Sequence, residues 1–246
     1  MKAPAEDQTR LLVVQAHDTV LHQQAHKRAR LPQAQALRAV RARQAGAEEE
    51  LELARAGGRE VQRELTRLED EIEKVAARAV RDQARLDSGG GLSRELVSLQ
   101  QELETLARRR AKLEDEALEV MERLEDSRRA VAGLEQAVER LGAEAAGLEA
   151  ELAAENAAID AAVAAESARR EAAAAGLDAN LMRLYERLRE RLGGVGAAAL
   201  TQGRCGGCGI QLSPSVLDSI RGLAADDVAR CEECTRILVR GEDAGL

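Results

Sequence analysis

The chain contains four cysteines, all near its C-terminus and arranged as two CxxC pairs. The first pair is Cys205-Gly206-Gly207-Cys208, the second is Cys231-Glu232-Glu233-Cys234, and 22 residues separate them. Four thiolates at about 2.3 Å satisfy Zn²⁺ in tetrahedral geometry, and a CxxC turn can place two sulfurs on one ion. The spacing therefore predicts one structural Zn²⁺ per chain, with Cys205, Cys208, Cys231 and Cys234 as its ligands.

Disulfide bonds and redox chemistry are the alternative uses of these cysteines. Disulfides need an oxidising compartment, whereas the chain begins with a polar stretch and shows no apolar signal segment, so we expect a cytoplasmic protein. A redox CxxC usually opens a helix after a strand, and neither pair has that setting. Because four thiolates leave zinc no open position for water or substrate, we expect no catalytic residues, no enzymatic activity and no small-molecule substrate.

Short elements must position the two cysteine pairs. Residues 197–201 and 236–240 favour short strands flanking the CxxC turns, and Ser213-Pro214 is typical of an N-cap followed by the first helical residue. Gly206, Gly207 and Gly209 suit a turn that enters left-handed conformations or brings the backbone close to sulfur. We therefore predict a C4-type zinc ribbon over residues 193–246, which has few apolar residues and should need its metal to fold.

The rest of the chain has the composition of long helices. Its 246 residues include no Phe, no Trp and a single Tyr, Tyr185, while 33% are charged. This composition is typical of coiled coils and does not favour a large globular core. No apolar run approaches the roughly 20 residues that span a bilayer, so we expect no membrane partner.

Heptad spacing of apolar residues predicts an antiparallel coiled-coil helical hairpin over residues 1–192. One heptad pattern runs from Leu37 to Ala79 and a second runs from Leu96 to Ile159, with a Gly-rich turn near residues 87–92 between them. Helices joined by so short a loop should lie antiparallel. The predicted fold class is therefore mainly α, with short strands and a short helix in the ribbon.

Two helix boundaries of the hairpin follow from single residues, and one segment of it has an alternative interpretation. Pro32 has no amide hydrogen and predicts a break near residues 31–32, which separates a helix over residues 7–30 from a longer one over 32–86. Ser93 can cap the next helix, which we expect to continue as one element to Arg191. A disordered state is the alternative for the Ala-rich residues 143–175 of that helix, where heptad positions thin out.

The chain is acidic, with 36 basic and 44 acidic residues and a net charge of −8. Residues 8–46 hold seven Lys or Arg against one acid, while residues 135–171 hold nine acids against three Arg. Because the hairpin places these segments opposite each other, we expect their charges to neutralise each other. Phosphate contact by cations of the first segment is the alternative; these are Lys27, Arg28, Arg30, Arg38, Arg41 and Arg43.

The chain has three histidines, of which His22 and His26 share a helical face at i, i+4 spacing. Two imidazoles at that spacing can hold a metal ion, yet no nearby acid or cysteine completes a ligand set. We interpret the pair as solvated helix surface.

Arginines cluster where the second long helix should end, just before Gly193-Gly194. They favour either of two interpretations: cations that stabilise a helix C-terminus, or a basic collar beside the zinc site. The ribbon is acidic by itself, with five Arg against seven acids in residues 197–246. For contact with nucleic acid or a partner protein we predict Arg183, Arg187, Arg189, Arg191 and Arg204.

Motifs along the chain resemble the bacterial C4-type zinc-ribbon coiled-coil family, and the C-terminal motifs are the specific ones. The motifs are Leu113-Glu114-Asp115-Glu116 with Met121-Glu122, Tyr185-Glu186-Arg187, Gly193-Gly194-Val195 and the two cysteine pairs, the second continuing to Leu238. The resemblance spans nearly the whole chain and implies that the four cysteines ligate zinc and that the protein binds nucleic acid. Some members are linked to flagellar or type III secretion, as partners of an alternative sigma factor or as RNA binders.

These observations lead to a non-enzymatic interaction protein that binds nucleic acid, RNA or DNA, or a nucleic-acid-associated protein. The alternative is a chaperone, scaffold or adaptor that holds a protein client along the coiled coil, as suggested for secretion- or flagellum-linked relatives. The Ala-rich hairpin gives no sign of those relatives' partners. Exposed heptad positions would favour a homodimer, although an intramolecular hairpin can bury them unaided.

Overall fold

The computed structural model describes residues 1–90 and 92–246. Helices predominate and short strands follow near the C-terminus, which confirms the predicted mainly α class. The helices are α1 Ala5–Ala29, α2 Pro32–Asp87, α3 Ser93–Ala174, α4 Ala179–Arg191 and α5 Pro214–Arg221, and the strands are β1 Ala197–Thr201, β2 Arg204–Cys205, β3 Ala229–Arg230 and β4 Ile237–Arg240. None of the helices in these described ranges is long and apolar enough to cross a membrane.

The chain forms two compact units, one of residues 35–149 and the other of residues 1–34 with 150–246. In the first unit, α2 and α3 pack as an antiparallel pair along the predicted heptad positions. Exposed ion pairs such as Arg78 with Glu102 (2.7 Å) add little stability, so the pair depends on its apolar seam. The buried seam residues are Leu37, Val40, Leu51, Leu65, Leu68 and Val75 of α2 and Leu106, Leu113, Val120, Leu124 and Leu141 of α3.

The predicted turn at residues 87–92 includes Gly91, which lies outside the described residues. Before it, Gly89 has a φ of +62°, a backbone conformation that favours glycine. After it, the Leu92 backbone N–H donates a hydrogen bond to the Glu95 carboxylate (3.2 Å). Ser93 is already helical, so the prediction that Ser93 caps α3 is wrong. Glu95 instead accepts the backbone N–H of Leu92, the residue that precedes the helix.

In the second unit, α1 packs beside the C-terminal part of α3. Lys27 pairs with Glu155 (3.0 Å), and Arg28 pairs with Asp160. The predicted neutralisation of the basic segment by the acidic one is therefore confirmed in this unit. The Ala-rich end of α3 is helical, so the disordered alternative is wrong.

Two breaks interrupt the helices of this unit. α1 and α2 are separated at Pro32, whose missing N–H is tolerated in the first turn of a helix. The predicted single helix up to Arg191 is wrong, because α3 and α4 are separate. Gly176 between them has a φ of +75°, and the Asp178 carboxylate caps α4 by accepting the N–H groups of Asn180 and Leu181 (both 2.9 Å).

The sheet and two helices share one apolar core. Leu11 of α1, Leu181 and Tyr185 of α4, and Ile237 of β4 are almost fully buried together. The strands lie in the order β2-β1-β4-β3, with β1 and β4 parallel and the other neighbours antiparallel. The zinc-ribbon sheet is therefore built onto α1 and α4, which supply apolar side chains that the ribbon lacks.

A buried polar network joins α1, α3 and α4 beside this core. Asp18 is only 3% exposed; it accepts a hydrogen bond from the Tyr185 hydroxyl (2.6 Å) and another from Arg170 Nε (2.8 Å). Arg170 also pairs with Glu186 of α4. Burial and the bond to Asp18 raise the pKa of Tyr185, so the hydroxyl stays protonated and donates.

Replacing Asp18 tests how far the second unit depends on this network. Asp18→Ala removes the acceptor of the Tyr185 hydroxyl and one of the two carboxylate partners of the half-buried Arg170. We expect a loss of about 3 kcal/mol in the free energy of unfolding. Asp160→Ala is the matched control, because its ion pair with Arg28 is exposed and should cost less than about 1 kcal/mol. Urea unfolding of the zinc-loaded chain measures both, and equal losses would contradict the assignment.

Candidate metal centre

Two backbone turns of the same design hold the four cysteines. In the first, the Gly209 N–H donates to Cys205 O (2.8 Å) and the Cys205 N–H donates to Ile210 O (3.0 Å). In the second, the Thr235 N–H donates to Cys231 O (2.9 Å) and the Cys231 N–H donates to Arg236 O (3.0 Å). We call these turns, residues 205–210 and 231–236, the two knuckles. The short strands β2 and β3 lead into them from opposite edges of the sheet.

The glycines of the first knuckle have different roles. Gly209 has a φ of +73°, as predicted for a turn that enters the left-handed region, and Thr235 holds the equivalent place in the second knuckle with a φ of +64°. Gly206 has no positive φ, but a Cβ there would lie 2.9 Å from Ala199 O. Gly206 thus allows β1 to approach the first knuckle. The second knuckle is the more strained of the two, because Thr235 is β-branched and L-residues of that type rarely adopt a positive φ.

The sulfur atoms have the spacing of a zinc tetrahedron. All four Sγ atoms lie within 4.8 Å of one another, with 3.8 Å from Cys205 to Cys234 and 3.9 Å from Cys208 to Cys231. Zinc–sulfur bonds of about 2.3 Å in tetrahedral geometry place neighbouring sulfurs about 3.8 Å apart. The residues present therefore fit one four-coordinate Zn²⁺ held by one pair of thiolates from each knuckle.

Burial controls the ionisation of these thiols. It raises the pKa of Cys205 to about 12 and also raises the pKa of Cys231. Burial opposes ionisation of Cys234 as well, but hydrogen bonds from Arg236 outweigh it and lower the pKa of that thiol to about 7. Because zinc binds thiolates, loading the site must release protons from the buried cysteines.

Two arginines outside the predicted contact set support the site. Arg236 donates to Val195 O (2.9 Å) and Leu192 O (3.0 Å), which ties the second knuckle to the segment that follows α4. Arg240 donates to the backbone oxygens of Ala224 and Asp227 (both 2.7 Å), which closes the loop after α5. The sequence placed Arg236 and Arg240 in a predicted strand. It could not predict their acceptors, because these are backbone oxygens that lie within hydrogen-bond distance only in the folded chain.

The predicted arginine contacts are not equivalent. Arg187 and Arg191 are exposed and have no partner among the described residues. Arg183 donates to the Asn180 side chain and Arg204 donates to Gly209 O (2.7 Å), although both remain exposed. Arg189 is half-buried, hydrogen-bonds to Glu186 (2.8 Å) and lies 3.5 Å from Asp18, so it belongs to the buried network.

The histidines occupy two different settings. His17 Nδ1 lies 2.7 Å from Glu166 Oε1, in a half-buried pair between α1 and α3, and this hydrogen bond lowers the pKa of Glu166. His22 and His26 are exposed, as expected for solvated helix surface, and their Nε2 atoms lie 2.9 Å apart. Across residues 1–90 and 92–246, the cysteine quartet is the one group of three or more metal-ligating side chains.

The helical hairpin and the cysteine tetrahedron together define a coiled-coil protein with a zinc ribbon. Residues 14–193 match the family model of the CT398-like coiled coil hairpin domain, and residues 204–238 match the C4-type zinc ribbon domain. The chain therefore belongs to the CT398-like coiled-coil hairpin family and carries one C4-type zinc site, as the resemblance implied.

Relatives agree with this assignment along nearly the whole chain. "Uncharacterized protein Rv2229c" of Mycobacterium tuberculosis is 37% identical over 242 residues, which cover 98% of each chain. A solved structure from Mycobacterium smegmatis is similar with a TM-score of 0.87 and 32% identity, covering 98% of this chain and 100% of that one. CT398 from Chlamydia trachomatis has the same fold, with a TM-score of 0.70 and 18% identity over 96% of this chain and 98% of its own.

Loss of one thiolate should remove the metal and unfold the ribbon. We expect zinc-loaded wild-type protein to hold about one Zn²⁺ per chain and Cys231→Ser to hold almost none, because structural zinc contributes about 10 kcal/mol or more to the folding of such modules. Elemental analysis and limited proteolysis of residues 193–246 measure the two effects. Glu232→Gln, in the same knuckle but exposed, should retain both zinc and protease resistance; equal behaviour of the two variants would contradict the ligand assignment.

Proposed function

We propose that the protein is a non-enzymatic adaptor whose zinc ribbon binds a partner protein through an acidic surface. The arrangement of charge in the ribbon carries this proposal. Each of the five arginines in residues 197–246 donates a hydrogen bond within its own unit: Arg204, Arg221, Arg230, Arg236 and Arg240. Four exposed acids have no side-chain partner in the described chain: Glu232, Glu233, Glu242 and Asp243.

The net charge of residues 197–246 is negative, because seven acids stand against five Arg, and hydrogen bonds hold each Arg side chain in place. Four thiolates around Zn²⁺ add a formal charge of about −2. A cationic protein surface complements this potential, whereas the phosphates of a nucleic acid would be repelled by it.

The metal has a structural part in this proposal. With four thiolate ligands, Zn²⁺ has no open position and serves to hold the two knuckles against each other. Ile210 at the end of the first knuckle is 44% exposed, and Glu232 and Glu233 lie in the second. One ion thus keeps an apolar contact and two carboxylates on the same small module, which suits recognition of a partner with both apolar and basic side chains.

Nucleic-acid binding is the second candidate, and the exposed, unpaired Arg187 and Arg191 of α4 favour it. Two cations neutralise only about two phosphates. A plot of log K for nucleic-acid binding against log salt concentration should therefore have a slope of only about −1.4 to −1.8. The other three predicted contacts already have hydrogen-bond partners, which reduces support for a continuous basic collar.

Charge-reversal variants separate the two candidates. Zinc-loaded full-length protein would be immobilised and used to capture partners from native lysate with and without nuclease. We expect a basic protein to be retained after nuclease treatment, and Glu232→Lys/Glu233→Lys to lower its recovery about tenfold, since losing about 1.4 kcal/mol of interaction has that effect. The variant Glu49→Lys/Glu50→Lys changes the net charge equally on exposed residues of α2 and should retain the partner.

The opposite pattern would support the second candidate. Retention of RNA or DNA that Arg187→Glu/Arg191→Glu abolishes, together with release of all captured protein by nuclease, would overturn the adaptor proposal. Zinc content of each variant must stay at the wild-type level, so that loss of binding reports on the surface and not on the fold of the ribbon.

A further inference from the structure

His22 and His26 of α1 converge on the protein surface. Their Nε2 atoms lie 2.9 Å apart and the ring planes meet at 78°. Both side chains are exposed, so the site is open to ions in solution. The i, i+4 spacing puts the two rings on one helical face. In the structure, the Nε2 atoms of the two rings point toward each other.

We infer that His22 and His26 form a second, exchangeable metal site, which binds a divalent transition-metal ion through the two Nε2 atoms. Two metal–nitrogen bonds of about 2.0–2.1 Å at a right angle separate the nitrogens by about 2.9 Å, which is the distance in the structure. Right angles occur in square-planar, tetragonal and octahedral coordination, so the pair fits Ni²⁺ or Cu²⁺ better than tetrahedral Zn²⁺.

Binding replaces the hydrogen bond between the rings. In that bond one Nε2 carries a proton and the other accepts it. When the metal binds, both Nε2 lone pairs coordinate it, and the donating ring moves its proton to Nδ1 by exchange with water. Both imidazoles remain neutral and no net proton is released.

Neighbouring residues hold one ring in place and limit the affinity. A Cβ at Gly194 would lie 3.4 Å from His22 Nδ1, so the segment after α4 packs against this ring and restricts its rotation. Lys27 and Arg30 line the same surface depression as His26. Lys27 pairs with Glu155 (3.0 Å), but the positive charge of the two side chains still lowers the affinity of the site for a metal cation. With two protein ligands and open positions for water, the site should bind much more weakly than the four thiolates.

Calorimetric titration of the full-length, zinc-loaded protein with Ni²⁺ tests the site. We expect about one Ni²⁺ per chain in addition to the ribbon zinc, and an affinity about tenfold or more lower in His22→Ala and in His26→Ala, because one ligand loses at least roughly 1.4 kcal/mol. His17→Gln is the matched control, since this third histidine pairs with Glu166 and should not change Ni²⁺ binding. Elemental analysis before and after titration shows whether zinc stays in the ribbon.

A spectroscopic measurement locates the ion independently. Substoichiometric Ni²⁺ should shift or broaden the ¹⁵N resonances of Nε2 in His22 and His26 more than those of His17. Equal Ni²⁺ affinities for wild type and both alanine variants, or His22 and His26 resonances that change no more than those of His17, would overturn the inference. The test does not depend on the proposed partner, because Glu232→Lys/Glu233→Lys should bind Ni²⁺ like wild type.

Discussion

Tyr185 is the only Tyr in a protein without Phe or Trp, and its burial against Asp18 is the contact on which the second unit depends. The ring fills a core to which α1, α4 and the sheet each contribute, while its hydroxyl satisfies a carboxylate that would otherwise be buried without sufficient partners. Arg170 completes the charge balance from α3. One side chain thus joins an apolar core to a polar network, and the zinc ribbon begins only a few residues further along the chain.

The ribbon consequently has two sources of stability. Its own apolar residues form a small cluster around the cysteines, including Leu200, Leu212, Ile220 and Leu238. Zinc holds the knuckles from inside, while α1 and α4 cover the other face of the sheet from outside. A small module without aromatic residues has little apolar area to bury, so the metal and the neighbouring helices supply what the ribbon sequence does not.

Charge is used differently in the two parts of the protein. On the helices, opposite charges meet across helix pairs and cancel at little gain in stability. In the ribbon, arginine side chains are directed to backbone oxygens, as with Arg236 and Arg240, and the carboxylates remain outside. A count of five Arg against seven acids already indicates an acidic ribbon, but it does not show which of these side chains form hydrogen bonds within the ribbon and which acids have no partner there.

Periodicity and spacing in the sequence were sufficient for the helix pair, the heptad seam, the break at Pro32 and the zinc chemistry, because each depends on local geometry or on the ligand preferences of one ion. The separation of α3 from α4 was missed, although Gly176 and Asp178 are ordinary stop and start signals, since the surrounding Ala-rich pattern is strongly helical. The i, i+4 spacing placed His22 and His26 on one helical face, but the internal pairing of Arg189 and the buried role of Asp18 were decided only by tertiary structure. Each of these depends on which groups are desolvated or brought within about 3 Å by packing, and hydrogen bonds act only at that range.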